Sequence, residues 1–402
     1  MRPAVIPELR QRFNKNMFSE ESYQRLLDHL NDSVGTKIQF RVCETPVFVP
    51  RALHQELKEA SLALFKQLLT PEYLEASKQA IPAAFRAPND QARPNFIQID
   101  FAITRDAQGN FTPKLVELQA WPSIYAFQLL LPQAMQDIYP ELKGLSYLFD
   151  GMTNEGFIDI FRRSVLGKHP AENVILMEIE PEKQKTLPDF MMTERYLGIE
   201  VVCITKIQKQ GKTLFYEKDG RQIEIKRIYN RAIVEELVQK NIQSQFQLSD
   251  DVNVEWAGHP NWFFRMSKYS LPFLSHPTVP KAWFLDQVKE LPADLENYVL
   301  KPLFSFAGSG VKINITREDI DAVPVQDRGG YLLQEKILYE PIIETIDDPS
   351  KVEIRVMLMW PDEDAEPTVV TTLPRLAKGL LLGVDFNKNR TWVGSGCCFL
   401  ER

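Results

Sequence analysis

The stretch from Tyr298 to Ile337 constrains this chain more than any other. It reads YVLKPLFSFAGSGVKI, then a polar helix-like run, then GGYLLQEKI. The apolar run Tyr298-Val299-Leu300 delivers Lys301 at its end. A loop containing Ser305, Gly308, Ser309 and Gly310 follows, and Val311-Lys312-Ile313 resumes an extended pattern. Strand, flexible loop, strand suits a cover laid over phosphates: glycines let the backbone approach closely, and its N–H groups point at oxygens. The neighbouring lysine supplies a point charge. This is not the P-loop pattern, because no Gly-Lys-Ser/Thr closes the loop and no helix follows at once. An ordinary hairpin turn is the competing reading.

A second stretch carries acidic chemistry. Residues 94–120 read PNFIQIDFAITRDAQGNFTPKLVELQA. Phe96 to Ile103 is expected as a strand, DAQGN (Asp106–Asn110) as a turn and Lys114 to Gln119 as the returning strand of a β-hairpin. Alternation puts Glu117 and Gln119 on one face. Pairing about the DAQGN turn lets Asp100 lie on that face too. Two carboxylates and an amide oxygen are hard ligands of the kind Mg²⁺ accepts, usually shared with substrate phosphates. A solvated polar face is the alternative. Against it, Leu115, Val116 and Leu118 surround Glu117, and a carboxylate in apolar company is costly without a partner.

Residues 173–205 predict a βαβ unit: a strand over 174–178, a helix over 186–197 closed by Gly198, and a strand over 199–204. A hairpin follows, from Leu214 to Glu217, a turn at Asp219-Gly220, then Ile223 to Tyr229. Arg227, Tyr229 and Arg231 cluster at its strand end, the usual place for a ligand in open α/β sheets, so they are candidate substrate-binding residues. A surface arginine pair is the alternative. Near the N-terminus, residues 7–31 predict a helix ending before Gly35, and 53–68 an amphipathic helix ending before Pro71. Lys268 lies in RMSKYSLPFL, expected to start a helix. Lys351 to Trp360 (KVEIRVMLMW) is expected as a strand with Glu353 and Arg355 alternating against Val352, Ile354 and Val356, and Arg375 follows on a further extended segment.

Composition bounds the rest. At about 100–200 residues per domain, 402 residues imply two or three domains. A hydrophobic content of 44% and a charged content of 25% are those of an ordinary globular protein. A net charge of −7 gives no case for nucleic acid or an anionic membrane. The four cysteines, Cys43, Cys203, Cys397 and Cys398, fit neither a zinc pattern nor a secreted disulfide framework. The adjacent pair is expected on two faces of one strand, and a reducing cytoplasm is the expected setting. The start, MRPAVIPELRQRF, lacks the apolar core of a signal peptide. No run approaches the roughly 18 apolar residues of a membrane span.

Taken together, these residues resemble an ATP-grasp fold. In that family a lysine on a strand precedes a mobile Gly-rich loop, as Lys301 precedes SFAGSG. A later strand ends in a Gln-Glu pair at the adenine-binding hinge, as in Leu333-Gln334-Glu335-Lys336-Ile337. An earlier lysine contacts the phosphates, which Lys268 matches. Glu353-Ile354-Arg355 matches an acidic-x-Arg strand, and Arg375 a second arginine. The acidic metal ligands of the usual order would come after all of this. Here they appear early, as Asp100 and Glu117-Leu118-Gln119, which is a circular permutation. The order is similar to the synthetase domain of glutathionylspermidine synthase and, more remotely, to eukaryotic glutathione synthetase.

The resemblance implies a mixed α+β / α/β protein, a circularly permuted ATP-grasp fold with an additional α/β substrate lobe. Residues 1–150 would supply a helical part and the metal-binding strands, 151–260 the substrate lobe, and 261–402 the nucleotide-binding part. It implies ATP and Mg²⁺ as cofactors. ATP would be held by Lys268, Lys301, Ser305, Gly308, Ser309, Gly310, Gln334, Glu335, Lys336 and Ile337, and the metal by Asp100, Glu117 and Gln119. The implied activity is an ATP-dependent carboxylate–amine ligase of the cytoplasm, a monomer or homodimer acting on small molecules. Two departures stand out. Gln119 replaces the family's Asn, and Gln98 replaces an Arg two residues before the Asp. Help for an anionic intermediate is then expected from Arg355 or Arg375. The same departures motivate an alternative, an ATP-binding protein or kinase without ligase activity. A partner-binding module would instead require Asp100 and Glu117 to point away from Lys301.

Overall fold

The computed structural model describes residues 7–106, 108–304, 310–379, 382 and 387–401. Its central sheet has five antiparallel strands in the order Gly394–Ser395, Thr368–Ala377, Lys351–Met359, Phe96–Arg105, Phe111–Gln119. The expected hairpin is therefore present, and it pairs along its first strand with a strand from near the C-terminus. Its turn is held by Asp106, whose carboxylate accepts the N–H groups of Gln108 and Asn110 at 2.9 and 2.8 Å.

Simple alternation does not carry through the hairpin. The register shifts so that Asp100 faces Glu117 while Phe101 faces Leu115, leaving Val116 as an extra residue. Such a bulge re-aims side chains locally. It lets Leu115 and Leu118, three residues apart, both reach the apolar side while Glu117 and Gln119 stay opposite Asp100 and Gln98. On that apolar side Ile97, Ile99, Phe101, Ile103, Val352, Ile354 and Val356 join one core with Leu53, Leu57, Leu64 and Phe65 of the helix Arg51–Gln67. The other side of the sheet is polar around Asp100.

The α/β lobe is a four-stranded parallel sheet in the order Glu255–Ala257, Arg227–Asn230, Val174–Glu178, Glu200–Cys203. The expected βαβ unit is found, with the helix Leu187–Leu197 closed by Gly198 at φ +72. The strand expected from Ile223 to Tyr229 is two. Arg221–Ile225 belongs to a three-stranded antiparallel meander with Gln208–Gln210 and Thr213–Lys218, and Arg227–Asn230 crosses into the parallel sheet.

A third, four-stranded sheet runs Ala282–Phe284, Tyr331–Glu335, Tyr298–Pro302, Lys312–Ile313, all antiparallel. One face buries Leu300 and Leu333 with Leu285, Ile315, Ile320 and Val323. The segment at Lys268–Phe273 is a short 3₁₀ turn rather than a helix start. The expected helix over 7–31 is broken into Pro7–Arg12, a π-turn at Phe13–Met17 and Glu20–Val34. Ser19 causes the restart, because its hydroxyl caps the N–H of Ser22 at 3.1 Å.

The early strand Val47–Val49 runs parallel to the late strand Cys398–Leu400. Cys397 and Cys398 are both buried, one in each of the two large cores, with Cys398 opening the strand and Cys397 just before it. Gly394 fixes this junction. Its φ is +115, and a Cβ there would lie 2.5 Å from the Arg41 carbonyl oxygen. Gly394→Ala is expected to cost about 1–3 kcal/mol through backbone strain and displacement of Arg41, read as a lowered Tm.

Candidate functional site

The polar side of the central sheet is built around one buried carboxylate. Asp100 is fully buried and lies in register between Glu117 on one neighbouring strand and Arg355 on the other. Arg355 grips it as a fork, Nε to Oδ1 at 2.6 Å and Nη2 to Oδ2 at 2.8 Å. Arg355 Nη1 also donates to Gln98 Oε1 at 3.0 Å. With its amide oriented to satisfy its neighbours, Gln119 accepts from Nη2 and from Nη1, the latter at 3.2 Å. A guanidinium has five N–H donors. These contacts use all five.

Arg375 comes from the next strand, in register with Glu353. Its Nη2 donates to Asp100 Oδ2 at 2.6 Å and also contacts Glu353 Oε1. Its Nε has no partner among the described residues. Tyr339 closes the group by donating its hydroxyl to Glu353 Oε2 at 2.8 Å. Burial alone would raise the Asp100 pKa, but Arg355 and Arg375 outweigh it and hold the group below the usual carboxylate range. Glu353 moves the other way: burial pushes it up and Asp100 adds to this, against the pull of Arg375. Burial opposes the charge on Arg375 too, but Glu353, Asp100 and Glu117 together raise its pKa above the ordinary value.

The third sheet faces this cluster. Lys301 pairs with Leu332 and Val299 with Gln334, so alternation puts these four on the face opposite the Leu300–Leu333 core. Burial lowers Lys301 to about 8, with Lys268 acting in the same direction and Glu117 and Glu353 opposing it. Lys268 is itself buried and lowered for the same reason, against Glu117 and Glu235. Lys301, Lys268, Glu117, Glu353 and Arg375 thus share one electrostatic neighbourhood, assembled from the early hairpin, the 3₁₀ turn, the third sheet and the late strands. Asp100 is thus fully buried, and Glu117 lies half-buried beside it.

At the expected hinge, Gln334 is buried and its Oε1 has no partner among the described residues. The N–H of Glu335 is bound to the Lys281 carbonyl at 2.9 Å and that of Lys336 to the Asn297 carbonyl at 2.8 Å. Lys336 Nζ reaches the Glu296 carbonyl and Asn314 Oδ1, at 2.9 and 2.6 Å. Ile337 is half-buried just beyond the strand. Gly310 has φ +72, and a Cβ there would lie 3.1 Å from the Pro302 ring. Ser305, Gly308 and Ser309 lie outside the described residues.

The structure places three sets of expected site residues as follows. Asp100 accepts three guanidinium hydrogen bonds, one on Oδ1 and two on Oδ2, and the Gln119 amide oxygen accepts two more. Glu117 alone of the expected three takes no part in these arginine pairs. No group of three or more His, Cys, Asp or Glu side chains is placed to hold a metal among the described residues. Arg355, with its donors saturated, has none left for an anionic intermediate, whereas Arg375 does. Arg227, Tyr229 and Arg231 are interior residues rather than a substrate-facing cluster. Arg227 is spent on Asp362 at 2.7 Å and on the carbonyls of Val165 and Ser164. Tyr229 is packed among Phe96 and Phe161, and Arg231 pairs with buried Asp189. Tyr339 was not found by sequence reasoning, since nothing in its neighbourhood sets it apart from other loop tyrosines.

No protein-family model matches the chain, and no curated protein matches its sequence. Among solved structures it is similar to a glutathione synthetase-like effector from Globodera pallida, determined in the apo form. The TM-score is 0.62 at 14% identity, over 96% of this chain and 98% of that one. At that identity the likeness speaks of the fold. No described helix is long and apolar enough to cross a membrane. The chain is a mixed α/β protein with a glutathione synthetase-like fold.

Proposed function

We propose that the cleft between the central and third sheets binds ATP, and that the protein is an ATP-dependent carboxylate–amine ligase of a permuted ATP-grasp arrangement. The observation that carries this reading is the meeting of Lys301 and Lys268 with Glu117, Glu353 and Arg375 in one electrostatic neighbourhood. The single sheet that joins the early hairpin to the late strands supports the permuted order. In the reaction, a substrate carboxylate oxygen attacks the γ-phosphorus of ATP, giving an acylphosphate and ADP. An amine then attacks the acyl carbon, inorganic phosphate leaves, and an amide bond forms with loss of the amine proton.

The protein's part is positioning and charge neutralisation in a site of low dielectric. Lys268 and Lys301 are the phosphate-holding cations. Arg375, with donor capacity left, is the group placed to meet the anionic intermediate. The segment Gln334–Ile337 is the proposed adenine-facing edge. None of these roles needs a covalent nucleophile on the protein.

A second reading is favoured by the saturation of Arg355, which removes Asp100 and Gln119 from the metal-ligand set. On this reading the cleft binds nucleotide without amine-dependent turnover. ADP release measured with pooled carboxylates and amines separates the two. The ligase reading expects amine-dependent ADP release that falls at least about tenfold in Lys301→Ala and in Glu117→Ala, the loss of one charged contact each. Unchanged rates in both variants sink it. ATP binding without amine-dependent ADP release leaves the second reading standing.

A further inference from the structure

We infer that Arg355 stands as a fixed internal cation in the part of the cleft where a divalent metal was expected, so that polyphosphate binding here does not depend on divalent metal. This rests on the nucleotide-binding reading of the cleft and not on ligase activity. Both Asp100 oxygens and the Gln119 amide oxygen are committed to guanidinium N–H groups. The Gln98 amide, in the place of the resemblance's arginine, accepts from the same guanidinium and donates to the Ser123 carbonyl at 2.7 Å. The guanidinium is thus supplied from the neighbouring strand, and Gln98 orients it.

A metal taking both Asp100 oxygens would have to break the fork and leave the Arg355 side chain, only 10% exposed, without its partner, and one taking Oδ1 alone would sit against the guanidinium that Oδ1 already accepts from. An arginine cannot escape that cost by losing its proton. Mg²⁺ also sheds its water reluctantly and needs near-octahedral oxygen geometry. Two guanidiniums already in contact with Asp100 repel any third cation.

The charge balance points the same way. Arg355, Arg375, Lys268 and Lys301 face Asp100, Glu117, Glu353 and Glu235, four positive side chains against four negative, with the two guanidiniums placed on Asp100 itself. The upward shift of Glu353 tilts the balance toward positive. A polyphosphate therefore meets four fixed cations whose charge is supplied by the chain itself.

The test uses the full chain. ATP affinity is measured by calorimetry in EDTA and again in saturating Mg²⁺, and Mn²⁺ binding without nucleotide is followed by electron paramagnetic resonance. The expected result is ATP affinities within about threefold in the two buffers and no Mn²⁺ site that depends on Asp100. ATP binding seen only with Mg²⁺ overturns the inference. So does a Mn²⁺ site in the wild type that disappears in Asp100→Asn. Absence of ATP binding in both buffers overturns the nucleotide reading instead, while the Mn²⁺ measurement still judges the Arg355 assignment by itself.

Discussion

Replacing Arg355 with Met is expected to cost the fold about 3–5 kcal/mol, a large share of the 5–15 kcal/mol by which proteins are ordinarily stable. The reason is the partner it leaves behind. Asp100 is fully buried, and two of its three charge-assisted contacts come from Arg355. Met restores the volume and the apolar stem but not the charge. The double variant Asp100→Asn/Arg355→Met should lose less than Arg355→Met alone, because the uncompensated carboxylate is gone, with a coupling of about 0.5–3 kcal/mol. Thermal unfolding of the four proteins closes the cycle. Equal losses in the single and double variants would show that Asp100 is not held by this pair.

The pH dependence gives an independent reading. The folded-state pKa of Asp100 lies below its unfolded value, so its contribution is present above the unfolded value and is lost as pH falls through the folded one. The acid-side loss owed to Asp100 should therefore be smaller in Arg355→Met, where one of the two depressing charges is missing, and the stability gap between wild type and variant should narrow as pH falls.

What the sequence made legible follows a physical line between local and non-local information. The hairpin was readable because alternation and the DAQGN turn are local. The strand carrying Lys301 and the helix closed by Gly198 were readable for the same reason. The bulge at Val116 was not, because two stretches of alternation separated by one extra residue look like imperfect alternation. The break at Ser19 had a signal, a capping serine followed by Glu20 and Glu21. It was masked by the apolar spacing that runs through it.

The charge cluster shows the limit most clearly. Glu353 and Arg355 at two-residue spacing mark a polar strand face, but nothing local says that Asp100 is the partner across it. Pairing of strands so distant along the chain is set by the whole fold. Arg227 and Arg231 show the same limit from the other side. Arginines at a strand end look like ligand residues until their carboxylates, Asp362 and Asp189, arrive from other segments.

Lys301→Met is expected to weaken ATP binding by roughly ten- to a hundredfold, the worth of about 1.5–3 kcal/mol for hydrogen bonds to a charged group. The pH dependence identifies the cause. Burial lowers the Lys301 ammonium to about 8 in the free protein, against an ordinary value of 10.5. Phosphate binding favours the charged form, so the bound state holds the proton more tightly than the free one. Affinity should then be flat below about pH 8 and fall as pH rises through it, with uptake of a proton on binding. The same depression has the opposite sign for folding. Between about 8 and 10.5 the folded chain carries less proton at Lys301 than the unfolded chain, so this group's contribution to stability grows as pH rises. Binding and folding are thus expected to respond to alkaline pH in opposite directions at one residue. In Lys301→Met the alkaline slope in affinity should vanish. In Lys301→Arg it should move out of the accessible range, because the guanidinium stays charged throughout. Calorimetric titrations with ATP from pH 7.5 to 9.5 on the three proteins decide the matter, and a wild-type slope that survives in Lys301→Met would place the titrating group elsewhere in the cleft.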